Sequence, residues 1–269
     1  MTTLTLVKKT SFTVASLATT ILLSICTPVR AFMFGTSGIQ FDRDTSINFT
    51  FEQSHGNYQS SLLVAKYQVD EKGTSYGNIF PPLFQEIKPS DNGAADESKG
   101  SFGNAVTSDN GSITQTFTFL QNQTYALLLW SDSGTGNQFE QYASSSTFMN
   151  SPAWFAANNQ FRRDDCLVAG CQQAVFGDFK LDYNSPDSFT SVNGGKGPEQ
   201  YSLLTMAQLA QGTKISFDDA GGGNDRDFQD FTVSAELAPE PVTVFGTMLG
   251  IGALAAARGK KKRQQQPEK

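Results

Sequence analysis

The chain has 269 residues, 22 of them Phe, and a formal net charge of −6, with only 17% charged residues. Heptads of Ala, Glu, Lys and Leu are absent, which excludes a coiled coil, and the acidic balance excludes sequence-general nucleic-acid binding. Apolar and aromatic content suffices for a packed core, which excludes full disorder.

Residues 1–31 read as a secretory signal peptide, removed by signal peptidase. Lys8 and Lys9 form the positive head, Phe12 to Ile25 an uncharged and largely apolar run, and Val29-Arg30-Ala31 a small-x-small cleavage site. The mature chain is expected to begin at Phe32. The apolar run is short for a membrane span, and the bulky Ile25 directly before Cys26 argues against a lipidated cysteine.

Residues 32–237 show no internal repeat and no long helical periodicity. Short alternating or apolar runs recur between Gly, Asn, Asp and Ser, as in β-structure. Strands are expected at Ser46–Phe51, Leu62–Tyr67, Ser112–Leu120, Thr124–Trp130, Ala174–Tyr183, Lys214–Phe217 and Phe231–Leu237. In the last, apolar odd positions alternate with polar even ones, so one face is expected to pack and the other to be wet. Pro89 to Asn110 is expected to be a long mobile loop. Asn150 to Arg163 and Tyr201 to Leu209 are the helix candidates. The pattern predicts an all-β domain, an antiparallel β-sandwich of jelly-roll type.

Once residues 1–31 and 242–269 are set aside, 11 basic and 25 acidic residues remain, a net charge of −14. Such a charge keeps an exported protein soluble and draws cations. Cys166 and Cys171 are an even pair in an oxidising compartment and are expected to form a disulfide closing a short loop. Zinc would need more ligands, and His55, in a Ser/Gly turn, is the only histidine.

The richest chemistry lies at 218–230. Asp218, Asp219, Asp225, Asp227 and Asp230 fall between two expected strands, around Gly221, Gly222 and Gly223. Carboxylates so close repel one another unless a cation compensates. Ca²⁺ takes six to eight oxygen ligands in a flexible cage, and glycines let backbone carbonyls approach it. The bland alternative is a solvated acidic hairpin turn. Asp225-Arg226-Asp227-Phe228-Gln229-Asp230, preceded by the acidic pair and the glycines, resembles the C-terminal signature of a family of bacterial extracellular domains of unknown function. The segment Phe41 to Ser60 also looks like that family. The resemblance implies a secreted, calcium-associated surface protein and no established activity; Gln229 stands where the family usually has Asn.

The C-terminus carries Pro239-Glu240-Pro241, then the uncharged stretch Val242 to Ala257, then Arg258, Lys260, Lys261, Lys262 and Arg263. Sixteen residues make about 24 Å of helix, slightly short for a bilayer core, with basic residues that snorkel to the interface and remain cytoplasmic. This order of motif, helix and basic tail closely resembles the PEP-CTERM sorting signal. The resemblance implies a transient inner-membrane anchor at 242–257, processing by an exosortase, and delivery to the outer surface or extracellular matrix. A plain single-pass anchor is the alternative.

Three functional classes fit the sequence to different degrees. A structural or adhesive surface protein with calcium-stiffened loops fits best. A carbohydrate- or matrix-binding module, using Trp130, Tyr142 or Trp154 against extracellular polysaccharide, is the second. A glycoside-active enzyme with a carboxylate pair is the third; no catalytic residue is assigned.

Overall fold

A computed structural model describes residues 32–55, 58–70, 73–87, 100–132, 140–147, 172–182, 189, 192–218 and 228–239. The described residues are mostly β-strand in antiparallel sheets, with almost no helix among them. The strands are β1 (Phe32–Gly35), β2 (Gly38–Phe41), β3 (Thr45–Ser54), β4 (Gln59–Asp70), β5 (Gly73–Ile79), β6 (Phe84–Glu86), β7 (Val106–Thr107), β8 (Thr114–Phe119), β9 (Thr124–Asp132), β10 (Glu140–Ser144), β11 (Ala174–Phe176), β12 (Thr213–Phe217) and β13 (Phe231–Leu237). A 3₁₀ turn spans Pro198–Tyr201, and a short helix, α1, spans Met206–Gln211.

One sheet has eight strands along the path β1-β2-β9-β4-β6-β7, with β10 also on β9 and β5 also on β4. The other has five, in the order β11-β12-β13-β3-β8. Alternation versus continuity in the sequence explains how each strand is used. In β3, Ile47, Phe49 and Phe51 are buried, while Ser46, Asn48 and Thr50 point to the other face. The polar side forms cross-strand pairs with β8: Ser46 with Thr118 at 2.8 Å, Thr116 donating to Asn48 at 2.7 Å, and Thr50 with Thr114 at 2.8 Å. By contrast β4 and β9 are apolar on both faces. Leu62, Val64, Tyr125, Leu127 and Leu129 join the main cluster, and Leu63, Ala65, Tyr67, Ala126 and Leu128 form a second cluster with Trp130. A continuous apolar run is the signature of a strand covered on both sides.

The main cluster draws on both sheets, so their inner faces share one core. Tyr125 of the larger sheet meets Phe119 of the smaller edge-on, with centroids 5.1 Å apart and rings at 86°. Phe119 also touches Phe34, Phe41, Phe49 and Phe117. Edge-to-face packing of this kind adds about 0.5–1.5 kcal/mol per pair beyond area burial. The β1–β2 hairpin needs Gly38, whose φ of +120° places its Cα where a Cβ would lie 2.6 Å from the Tyr67 hydroxyl.

Several sequence expectations shift. The expected loop at 89–110 contributes buried Ala105 and Val106 and strand β7, which pairs with β6; residues 88–99 are outside the described residues. Among the described residues of the expected 174–183 strand, only Ala174–Phe176 are paired, with β12; Tyr183 lies outside the described residues. The helix expected over 201–209 lies at 206–211, started by a Thr205 capping box: Gln208 N–H donates to Thr205 Oγ1 at 3.2 Å and Thr205 N–H to Gln208 Oε1 at 2.9 Å. Nor is the outer face of β13 uniformly wet. Thr232 is 1% exposed, because Val175, Ser216 and Thr232 are in register on that face, where Val175 packs with Phe179, Phe189 and Phe228.

Among the described residues no helix is long and apolar enough to cross a membrane. Residues 1–31, 148–171 and 240–269 lie outside the described residues. With them lie the expected signal peptide, Trp154, the Cys166–Cys171 disulfide, Glu240, Pro241 and the 242–257 helix.

Candidate functional site: the feet of the acidic loop

Strands β11, β12, β13 and β3 end together. Ala174 pairs with Phe217, Phe217 with Phe231, and Phe231 with Ser54. The next row continues by backbone bonds. Asp218 N–H donates to the Gln173 carbonyl at 3.2 Å, Asp230 N–H to the Phe217 carbonyl at 3.1 Å, and His55 N–H to the Asp230 carbonyl at 2.9 Å. Gln173, Asp218, Asp230 and His55 thus occupy neighbouring positions across the end of one sheet, and all are buried. Asp218 and Asp230 are 1% and 7% exposed, which is rare for carboxylates and requires compensation by charge or hydrogen bonding.

These two aspartates are the feet of the acidic loop. Of the five expected metal ligands, the structure describes Asp218 and Asp230 and sets them just beyond the paired ends of β12 and β13; Asp219, Asp225 and Asp227 lie outside the described residues. Among the described residues no group of three His, Cys, Asp or Glu side chains is close enough to hold a metal ion. His55 directly follows β3 and is 9% exposed, so it belongs to the row rather than to an open turn.

The returning arm of the loop is held by Phe228. Its φ is +53°, a left-handed conformation that costs a non-glycine residue about 1–2 kcal/mol. The ring is 1% exposed and packs edge-on against Phe189 at 5.4 Å. Burial of an aromatic ring outweighs that strain, so Phe228 can turn the chain just before Gln229 and Asp230.

A second buried polar group went unmarked in the sequence. Glu86 is 1% exposed, and its Oε2 accepts the Ser60 N–H at 2.8 Å. Gln59 donates to the Glu86 carbonyl at 2.7 Å. The available signal was the Phe84-Gln85-Glu86 alternation, which puts Glu86 on the same face as Phe84. Buried hydroxyls are paired on both faces of the larger sheet. Ser60 pairs with Ser131 at 2.8 Å, Ser145 Oγ accepts the Leu127 N–H at 2.9 Å, and the Tyr67 hydroxyl meets Ser146 Oγ at 3.2 Å. Burial pushes the Tyr67 phenol above its ordinary pKa, and the Ser146 bond partly opposes this.

Of the aromatics considered for sugar stacking, Trp130 is half-buried against the second apolar cluster. Tyr142 pairs with it through the backbone. In comparisons with known proteins, no family model, no curated protein and no solved structure matched the chain.

Proposed function

We propose that this chain is an exported cell-surface or matrix protein with a structural or adhesive role, its two sheets forming a jelly-roll-like β-sandwich stiffened by Ca²⁺. The observation that carries this reading is the burial of Asp218 and Asp230 on adjacent strand ends, at the two feet of a loop that also contains Asp219, Asp225 and Asp227. A hard divalent cation takes carboxylate and carbonyl oxygens as ligands, and aspartates clustered around three glycines supply both. These five aspartates would hold the ion, and the ion would supply rigidity and charge neutralisation, not catalysis.

In this proposal residues 1–31 direct export and are removed by signal peptidase. Pro239-Glu240-Pro241 with residues 242–263 forms the sorting signal used by an exosortase, and Cys166 and Cys171 form a disulfide. The −14 charge of the exported part supports solubility and cation binding. A polysaccharide-binding role has less support, since Trp130 is engaged in packing.

Two experiments test the parts separately. Calorimetric titration of the exported domain with Ca²⁺ should give saturable binding; no heat in either direction, with a folded protein, overturns the metal reading. Deleting residues 239–263 should release the protein to the medium; retention in the cell envelope overturns the sorting reading.

A further inference from the structure

The geometry points to a membrane-facing end of this domain: the end formed by the turn at 42–44, the turn at 120–123 and the close of β13 lies against the lipid headgroups while the chain is anchored, and the acidic end faces away. This rests on the proposed reading of residues 242–257 as a membrane helix, and goes beyond it by assigning the surface that meets the lipid.

The argument is one of reach. Ala238 is still part of the fold, since its N–H donates to the Ser46 carbonyl at 2.9 Å. Val242, the first residue of the apolar run, is four residues further on. An extended chain covers at most about 14 Å in that distance. The headgroup layer takes up roughly 5–7 Å of it, half the difference between total and hydrocarbon thickness. The close of β13 therefore cannot leave the membrane surface until the chain is cut.

The neighbours of that strand end form one tied surface. Gln121 N–H donates to Asp44 Oδ1 at 2.8 Å, Gln121 Nε2 to the Asp42 carbonyl at 2.7 Å, and Asn122 N–H to the Phe41 carbonyl at 2.8 Å. Arg43 is exposed beside them, and Leu120 is 49% exposed. A long basic side chain beside an open leucine suits the boundary between headgroups and water. The Asp44 carboxylate accepts a backbone N–H within the same surface. Seven residues of β13 separate this end from Asp230, about 23 Å at strand rise. Asp218 and Asp230 thus lie at the end turned away from the lipid.

The test uses the chain from Phe32 to Lys269, as left by signal peptidase, reconstituted in vesicles carrying a contact quencher on their headgroups, with a dye attached through an azide-bearing amino acid so that the native cysteines stay intact. Dye positions are Leu120 at the near end and Gln85 at the far end, with Glu236 as a second near-end position in case the Leu120 variant does not fold. The near-end dyes should be quenched several-fold more than the Gln85 dye. Inserting a flexible Gly/Ser linker of about 20 residues after Ala238 should remove the difference, because its r.m.s. span of about 25 Å frees the domain. Equal quenching at both ends without the linker, or stronger quenching at Gln85, overturns the orientation. A folded protein that does not float with the vesicles overturns the membrane reading of 242–257 instead.

Discussion

The backbone N–H of His55 donates to the carbonyl oxygen of Asp230 at 2.9 Å. This bond extends the β3–β13 ladder one residue past Ser54 and Phe231, so the returning foot of the acidic loop is fixed to β3 as well as to β12. With Asp218 bonded to Gln173, both Asp218 and Asp230 are tied into a row across four strands. A ligand held by Asp218 and Asp230 would therefore bear directly on the stability of the sheet.

On the proposed reading of the site, calcium is a stability probe. At about 100 times its Kd, a ligand binding only the native state adds about 2.7 kcal/mol, equivalent to roughly 5–10 °C in Tm for a domain of this size. Thermal melts of residues 32–237 should show such a rise with Ca²⁺. Asp225→Ala with Asp227→Ala, or Asp218→Asn alone, should remove most of it. A full shift in both variants would place the ion elsewhere.

Tyr67 gives an alkaline signature. Its folded pKa is raised, chiefly by burial. The neutral phenol is thus favoured by folding, and the resulting stability is present below the unfolded pKa and lost as pH rises through the folded value. Urea midpoints should fall above about pH 10 more steeply in the parent than in Tyr67→Phe. At neutral pH the variant should lose about 1 kcal/mol with the Ser146 bond. Identical alkaline slopes would show that the phenol ionises without cost.

Phe119 should be the most sensitive single core position. Its ring touches Phe34, Phe41, Phe49, Phe117 and Tyr125, which come from both sheets. Phe119→Ala should cost about 3–5 kcal/mol in urea unfolding. A loss under about 1 kcal/mol would mean that the two inner faces do not depend on a common core.

At Phe228 the usual order of Ala and Gly should reverse. Both substitutions lose the ring packed on Phe189, but only Gly relieves the +53° backbone. Phe228→Gly should be more stable than Phe228→Ala by about 1 kcal/mol, read from denaturation midpoints. Equal stabilities would show that the left-handed turn relaxes once the ring is gone.

Local pattern carried much of the fold because strand alternation is written in consecutive residues. Ser46–Phe51 announces β3 by strict alternation, and Thr124–Trp130 announces a doubly covered strand by its unbroken apolar run. The short strands β1, β2, β6, β7 and β10 were not legible, since a few residues become a strand only when a neighbour supplies the ladder. Val106 shows this plainly: it lies in a Gly/Ser/Asp-rich stretch that reads as loop, yet it is fully buried and pairs with Glu86. Likewise Thr232 looks like a wet position and is buried, its hydroxyl paired with that of Ser216 on the neighbouring strand.

By itself, then, the sequence determined the β-class of the domain, its strongest strands and the clustering of its aspartates, because periodicity, turn chemistry and charge density are local properties of a chain. Only the tertiary structure decided that Asp218, Asp230, Gln173 and His55 share one buried row. That row joins residues up to 175 positions apart in the chain, and such a separation is closed by strand pairing and by burial of a common core, neither of which leaves a mark in any short stretch of residues.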